Sequence, residues 1–284
     1  MPRAALLGLH ARLEGADPGS WEDQALAQTY GPRGAVYIFP RDAVPAFTRG
    51  LLPRDDADRE QIESVAARVA DALTNGPLRQ KELAAVAPEF DGLGFHAVRL
   101  AARAGRYLIR WDTSSLHIVL NETPPDPSRD EEARIDLAQR FLRWHGPADA
   151  AAFAKWSGVN RQDAETTWAS VTSLVEEIEE AASRTTGFPE GVRLLPHNDA
   201  YLFHTRELVV PDARRRKIIY PSHGQPGVVL VDGRIQGIWQ RTGRQFRLEL
   251  WAADPEMRRR IQEGAETASV PLGGDVDIDI AITV

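Results

Sequence analysis

One arrangement occurs twice in the chain, in VAARVADALTNGPLRQKELAAVAPEF at residues 65–90 and in DLAQRFLRWHGPADAAAFAKWSGVN at residues 136–160. In both stretches a run with helical apolar spacing stops at a Gly-Pro pair, and a short alanine-rich run follows. Gly76-Pro77 and Gly146-Pro147 lie 70 residues apart. We expect each glycine to end a helix in the left-handed conformation and each proline to start the next helix with its fixed φ. The repeat therefore predicts helix-turn-helix units.

The segment around the first Gly-Pro pair predicts a complete winged helix, because a third helix and a two-stranded hairpin follow the turn. An opening helix, a second helix and a strand before it resemble the end of an earlier, incomplete unit. The elements predicted for this part of the chain are helices at 3–14, 21–28, 61–73, 78–86 and 95–104 and strands at 35–39, 106–111 and 116–120.

A linker with three prolines, at 124, 125 and 127, precedes the second Gly-Pro unit, whose third helix is expected to be capped by Asn160 and to run to about 180. From Val192 the pattern changes to short strands, with a tight hairpin turn at Asp232-Gly233. The elements predicted here are strands at 192–195, 208–210, 217–220, 227–231, 234–239, 244–250 and 276–284 and a helix at 255–263.

We predict an α+β fold of tandem winged-helix (helix-turn-helix) units followed by a β-rich carboxyl-terminal domain. The predicted divisions are a partial first winged-helix unit at 1–53, a second winged-helix unit at 54–123, a third helix-turn-helix unit at 124–190 and the β-rich domain at 191–284.

Composition restricts the function classes. The 284 residues are 43% hydrophobic, which is enough for a sizeable core, and contain neither an apolar run of membrane-spanning length nor a secretory signal pattern. The absence of cysteine excludes disulfides and thiolate metal sites and is compatible with a cytoplasmic location. The net charge is −7, yet residues 191–260 hold 13 Arg or Lys against 7 Asp or Glu. This asymmetry fits either a basic face on an acidic body or the ordinary use of arginine for solubility.

Several stretches resemble one family, the bacterial winged-helix proteins that include DNA glycosylases acting on alkylated and interstrand-crosslinked DNA. The resemblance rests on PRAALLGLHARLEG at 2–15, GPRGAVYIFPRDAVPAF at 31–47, ARIDLAQRFLRWHGPADAAAFAKWSG at 133–158, VRLLPHNDAYLFHTREL at 192–208 and VVLVDGRIQGIW at 228–239. It implies tandem winged helices and a carboxyl-terminal β-domain that together hold duplex DNA in a concave surface.

One departure from the family pattern concerns the chemistry. The family's glycosylases carry a Gln-X-Gln or Gln-X-Asp motif just before the helix that resembles 3–14, where amide or carboxylate oxygens position a water and stabilise an oxocarbenium-like sugar. The sequence contains no such motif, and Gln61-Ile62-Glu63 and Gln80-Lys81-Glu82 are the nearest patterns. Either the start of the chain is trimmed, or this member binds DNA without cutting it; we expect little or no glycosylase activity.

Two residues are weak catalytic candidates. Asp199 matches the acidic position of the family's Leu-Leu-Pro-X-X-Asp stretch, where it could orient a water or, as we favour, cap the turn after Pro196. His10 lies near the position of the missing motif and is otherwise an ordinary core or surface histidine. The residues predicted to contact nucleic acid are Arg33, Arg99, Arg103, Arg206, Arg214, Arg215, Arg216, Lys217, Arg241 and Arg244.

Three functional hypotheses follow. The first is a binder of double-stranded DNA with glycosylase-like architecture, inactive as given; the second is a non-catalytic transcriptional regulator or architectural DNA binder. The third is a winged-helix module for protein contacts, which the acidic helix after Asn160 would allow. In each case we expect a monomer without a metal, a small-molecule cofactor or a membrane.

Overall fold

The sequence folds into two units of different character. The computed structural model describes residues 2–13, 16–86, 96–111, 115–175, 177, 190–203 and 206–282. The first unit, called the sheet unit below, comprises Met1–Glu22 and Thr186–Val284, and the second, called the helical unit, comprises Asp23–Thr185. The fold is thus a mixture of helices and sheets, as predicted, while the four-part division of the chain stays a prediction.

The helical unit contains eight helices and two small antiparallel sheets within its described residues. Its strands β1 and β2 pair with each other, and β3, β5 and β4 form a second sheet in that order. The elements are β1 (Leu26–Tyr30), β2 (Val36–Pro40), α2 (Val44–Phe47), α3 (Asp56–Ala72), β3 (Leu78–Arg79), α4 (Gln80–Val86), α5 (96–101), β4 (Tyr107–Trp111), β5 (Leu116–Leu120), α6 (Asp130–His145), α7 (Ala150–Ser157), α8 (Arg161–Ala169) and α9 (172–175).

Two hydrophobic clusters fill the helical unit. The first packs the apolar stripe of α3 against α5 and the β4–β5 hairpin, around the fully buried Tyr107. The second joins α2 to α6, α7 and α8 through aromatic side chains, and Phe47 stacks on Phe39 with ring centroids 4.4 Å apart. Burial of such aromatic rings is the largest single contribution that a side chain of a core can make.

A buried ion-pair network lies between the helices of this unit. Arg49 is 3% exposed in its side chain. Its Nη1 donates to Glu63 Oε1 of α3 at 2.7 Å and to the Ala104 carbonyl at 3.2 Å, and its Nε and Nη2 both donate to the Asp130 carboxylate at the start of α6. One guanidinium therefore fixes the separation of α3, α6 and the turn at 104.

The sheet unit is built on five strands in the order β10-β9-β8-β7-β6, antiparallel except for the β9–β10 pair. Its elements are α1 (Pro2–His10), β6 (Val192–Leu195), α10 (Arg206–Val209), α11 (Ala213–Ile219), β7 (Gly227–Val231), β8 (Arg234–Thr242), β9 (Gln245–Leu250), α12 (Pro255–Glu266), α13 (Ser269–Leu272) and β10 (Asp277–Ile282).

Both faces of this sheet are covered. Along β7, Val229 and Val231 pack in the cluster that contains α12, whereas Val228 and Leu230 pack in the cluster that contains Ile219 of α11. Alternate side chains of a strand point to opposite faces, so helices on both sides explain why every residue of β7 is buried. This arrangement places α11 on one outer surface of the unit.

The predicted roles of the Gly-Pro turns are partly wrong. Gly76 has φ 123° and ends its helical turn with positive φ, as expected, but Gly146 has φ −70° and is extended. Neither proline starts the following helix: Leu78–Arg79 forms a strand, and α7 begins at Ala150, where the Asp149 carboxylate accepts from the N–H of Ala152 at 2.7 Å. The Asp149 side chain thus stabilises the start of α7, the role that was expected of Pro147.

Three secondary-structure predictions are wrong for physical reasons that lie outside the local pattern. The helix predicted at Trp21–Gln28 is a 3₁₀ turn at Ser20–Glu22 followed by β1, which finds a partner strand in β2. The strands predicted at 208–210 and 217–220 coincide with helices α10 and α11, and the Asp212 side chain caps the start of α11. Short apolar runs fit a strand and a buried helix equally well.

The helix predicted from Asn160 to about 180 is correctly capped but shorter. Asn160 Oδ1 accepts from the N–H of Asp163 at 2.8 Å, and α8 ends at Ala169. Residues 178–180 of that prediction lie outside the described residues. No helix in the part of the chain that the structure describes has the length and apolar character needed to cross a bilayer.

Replacing Arg49 by methionine tests the buried network. We expect Arg49→Met to lower the free energy of unfolding by about 3 kcal/mol, because it removes the arginine paired with the partly buried Asp130 and leaves Glu63 with Arg106 as its remaining partner. The control is Arg59→Met, which removes the partner of the exposed Asp56 on α3, with an expected loss below about 1 kcal/mol. Urea denaturation measures both, and equal losses would show that the Arg49 network does not stabilise the unit.

Candidate nucleic-acid interface

Helix α11 carries the densest basic cluster of the described chain. It begins after Asp212, whose Oδ1 accepts from the N–H of Arg214 at 2.7 Å and of Arg215 at 3.1 Å. Its inner side is anchored by Ile219, which is fully buried. A capped helix with a buried anchor is a rigid platform for the charges that it carries.

Three of the arginines that are predicted to contact nucleic acid make contacts within the protein that stabilise α11 and its surroundings. The guanidinium of Arg215 lies 4.4 Å from the centre of the Trp251 ring, and that of Arg206 lies 4.5 Å from the centre of the Tyr220 ring. Arg216 Nη1 donates to the carbonyls of Val210 at 2.8 Å and Pro211 at 2.6 Å. Cation–π contacts and carbonyl hydrogen bonds hold these side chains in place, so their first role is structural.

Arg214 and Lys217 lie on the outward face of α11. They are three residues apart, which puts their side chains on the same side of a helix, and both are exposed. Neither side chain forms a hydrogen bond or an ion pair with any residue that the structure describes. They are therefore the two cations of the sheet unit best placed to bind a phosphate backbone.

The two hairpin arginines occupy different positions. Arg241 Nη1 donates to the Gly243 carbonyl at 2.8 Å, within the turn that joins β8 and β9. Arg244 Nη2 donates to the Gly273 carbonyl at 3.2 Å, and a Cβ on Gly274 would meet the Arg244 guanidinium. Arg244 thus closes the carboxyl end of α13 and is held against backbone.

In the helical unit, two of the three predicted arginines are exposed and adjacent. Arg33 lies in a 3₁₀ turn with φ 55°, and a Cβ on the next residue, Gly34, would be 3.9 Å from the Cβ of Arg99. The Arg99 guanidinium lies 5.5 Å from the centre of the Tyr30 ring, whose burial raises the pKa of Tyr30 to about 12. Arg33 and Arg99 form a second exposed basic pair.

Arg103, by contrast, points into the helical unit. Its Nη1 donates to the Leu51 carbonyl at 3.1 Å, and it lines a cavity beside α3. This placement takes it away from a duplex lying on the surface.

The catalytic candidate Asp199 is held by a bidentate ion pair. Its side chain is 4% exposed, and its two oxygens accept from Arg12 Nη2 at 2.6 Å and Nη1 at 2.9 Å. Oδ1 also accepts from the N–H of Tyr201 at 2.9 Å, and Oδ2 would lie 3.7 Å from a Cβ on Gly8. These partners occupy the carboxylate, so Asp199 caps its turn and positions α1 on the sheet unit.

The hydrogen bonds around His10, the second catalytic candidate, indicate which of its ring nitrogens carries the proton. Thr267 Oγ1 donates its proton to the Gly264 carbonyl at 2.7 Å, so the 2.9 Å contact between Thr267 Oγ1 and His10 Nε2 requires Nε2 to be the donor. Nδ1 then carries the lone pair, and it is buried with no hydrogen-bond partner among the described residues. Burial, with the Arg193 charge, lowers the pKa of His10.

The lowered pKa of His10 predicts a pH dependence of stability. The unfolded chain binds a proton at His10 below about pH 6.5, and the folded chain resists it, so this residue makes stability fall as the pH drops below that value. We expect His10→Gln to lose less unfolding free energy than the wild type between pH 7 and pH 5 in urea titrations. Equal losses in the two proteins would contradict the buried, neutral state.

Sequence reasoning missed the partners that give these residues their roles. Arg12, Tyr220 and Trp251 were not predicted, although each holds a residue that was. Arg12 and Asp199 are 187 positions apart, so no local spacing indicates their pairing. The exposed position of Arg214 and Lys217 could have been inferred from their helical spacing, had α11 been recognised as a helix.

Comparisons with known proteins agree on one family. The family model described as DNA glycosylase AlkZ-like matches residues 1–268. Among solved structures, the DNA glycosylase AlkZ of Streptomyces sahachiroi is similar with a TM-score of 0.73 and 18% sequence identity, over 99% of this chain and 89% of that one. At that identity the structural match shows the fold alone. No curated protein sequence matches.

Proposed function

The chain belongs to the family of AlkZ-like DNA glycosylases, and we propose that it binds double-stranded DNA through the outward face of α11. The observation that carries this proposal is the pair Arg214 and Lys217, two cations on one face of a rigid helix whose side chains have no ion-pair partner among the residues that the structure describes. Phosphate contacts supply most of the affinity of a nucleic-acid binder and need exposed Arg or Lys side chains. Arg33 and Arg99 are a second contact in the proposal, on the helical unit.

We interpret the helical unit as tandem helix-turn-helix units. The order α3, α4, α5 and then the β4–β5 hairpin is that of a winged helix, and α6, α7 and α8 follow as a second set of three helices. In α8 the first basic residue, Arg161, is paired with Glu165 at 2.7 Å. That pairing favours α5, with exposed Arg99, over α8 as the helix nearer to DNA.

The proposal includes little or no glycosylase activity from these 284 residues. They contain no Gln-X-Gln or Gln-X-Asp motif, and the Asp199 carboxylate is occupied by Arg12 and Tyr201. Our first hypothesis is a DNA-binding protein of the DNA-repair type, and our second is a non-catalytic regulator or architectural DNA binder. A cytoplasmic location, a monomeric state and the absence of a cofactor or metal stay predictions.

Salt-dependent binding tests the interface. We expect the wild type to bind a 20-base-pair duplex in fluorescence anisotropy and to weaken steeply between 50 and 200 mM NaCl. The variant Arg214→Ala/Lys217→Ala should reduce the slope of log K against log salt by about 2, because each phosphate contact contributes about 0.9. The matched control is Arg259→Ala on α12, an exposed arginine already paired with Glu256 and Glu263, which should keep the wild-type slope.

Two outcomes would contradict the interface. An unchanged slope in the double variant would remove α11 from the contact surface. Absence of binding to any duplex at 50 mM salt would instead favour the hypothesis of a module for protein contacts.

A base-release assay tests the predicted lack of chemistry. We expect no release of 7-methylguanine from methylated duplex above the rate without protein. Release that is lost in Asp199→Asn would make Asp199 catalytic and our positioning role for it wrong. Release that survives in Asp199→Asn would place activity on other residues and contradict the proposed inactivity.

A further inference from the structure

A cavity of about 350 Å³ lies within the helical unit. Its walls come from α3, from the stretches 51–53 and 97–103, and from the loop 158–160 with the first turn of α8. Most of the lining is apolar, and Ile62, Val65, Leu100 and Val159 contribute to it. Cavities of this size and apolar character, with a few polar groups, are typical of sites for small molecules.

Among the described residues, Arg103 is the one cation in the lining, and no carboxylate that the structure describes neutralises its charge. Its only hydrogen bond to a described residue is from Nη1 to the Leu51 carbonyl at 3.1 Å. No described Asp or Glu lies within ion-pair distance of it, and burial lowers the pKa of Arg103. A guanidinium removed from water without a counter-ion is unfavourable, and the donors that remain on it are available to a ligand in the cavity.

The two carboxylates of the lining, Asp58 and Asp163, differ from Arg103 because neither needs a ligand as a partner. Asp163 Oδ2 accepts from the Arg54 N–H at 3.0 Å and from Asn160 Nδ2 at 2.9 Å, so it is already satisfied by the protein. Asp58 is exposed on the first turns of α3 and faces water. Neither needs a ligand, and the negative charge of Asp58 at the opening disfavours a ligand with two anionic groups.

We propose that this cavity is a binding site for a small monocarboxylate with an apolar body, whose carboxylate pairs with Arg103 and whose body packs between Ile62, Leu100 and Val159. The planar guanidinium fork matches a carboxylate in a way that it does not match a neutral amide of the same shape.

Three matched naphthalene probes test the site by isothermal titration calorimetry on the full chain: 2-naphthoate, 2-naphthamide and 2,6-naphthalenedicarboxylate. We expect 2-naphthoate to bind with one-to-one stoichiometry and about tenfold or more tighter than either of the others, since a hydrogen bond to a charged partner is worth that factor. In Arg103→Met, the affinity for 2-naphthoate should fall to that for 2-naphthamide, while the affinity for the amide stays the same.

The control variant is Arg140→Met, which replaces an arginine of α6 that is paired with Asp136 and does not line the cavity. This variant should retain the preference for the carboxylate.

If circular dichroism shows that Arg103→Met does not fold, amide chemical shifts of the wild type test the site instead. Shifts on adding 2-naphthoate at Ala97, Leu100 and Val159 support the site. Equal affinity of the wild type for 2-naphthoate and the amide, no binding at millimolar concentration, or shifts elsewhere would overturn it.

Discussion

The helical unit depends on the buried guanidinium of Arg49. Burying a charge is unfavourable unless it is fully paired, and here Asp130, Glu63 and the Ala104 carbonyl supply the partners from three separate elements. The same short turn, Arg49–Leu51, contributes the Leu51 carbonyl that receives the hydrogen bond of Arg103. The ion-pair network therefore fixes both the helix arrangement and one wall of the cavity.

The sheet unit is also held by an ion pair between an arginine and a buried carboxylate, but this pair joins fewer elements. Arg12, in the turn after α1, binds Asp199, which also caps the turn that contains Tyr201, so the end of a helix from the beginning of the chain is fixed to a loop after β6. Cations in this unit fall into two groups: those that are held against aromatic rings or carbonyls, and those that extend into solvent. In the basic cluster 214–217, Arg214 and Lys217 belong to the second group, and cations that contact phosphates release counter-ions from DNA.

The sequence predicted those features that short-range patterns determine. The β4–β5 hairpin, the β7–β8 turn at Asp232-Gly233 and the Asn160 cap are confirmed. The family resemblance is confirmed as well, because the family model matches residues 1–268. Features that depend on distant partners could not be predicted: β1 is a strand because β2 pairs with it, and β10 runs parallel to β9.

The candidate site likewise combines a feature that the sequence shows with features that depend on distant residues. A basic cluster is visible in the composition of residues 214–217, but the sequence does not say which of the four side chains are already engaged. That information came from Trp251 and from the carbonyls of Val210 and Pro211, which lie on other elements. Similarly, the occupied state of the Asp199 carboxylate depends on Arg12, a residue that no motif connects with it.

Hydrogen–deuterium exchange of the full chain, with and without a 20-base-pair duplex at 50 mM salt, tests the central claim most directly. The account predicts that duplex slows exchange in peptides covering α11 at Ala213–Ile219 and leaves α12 at Pro255–Glu266 unchanged. Unchanged exchange in α11 under conditions where the duplex is bound would contradict it.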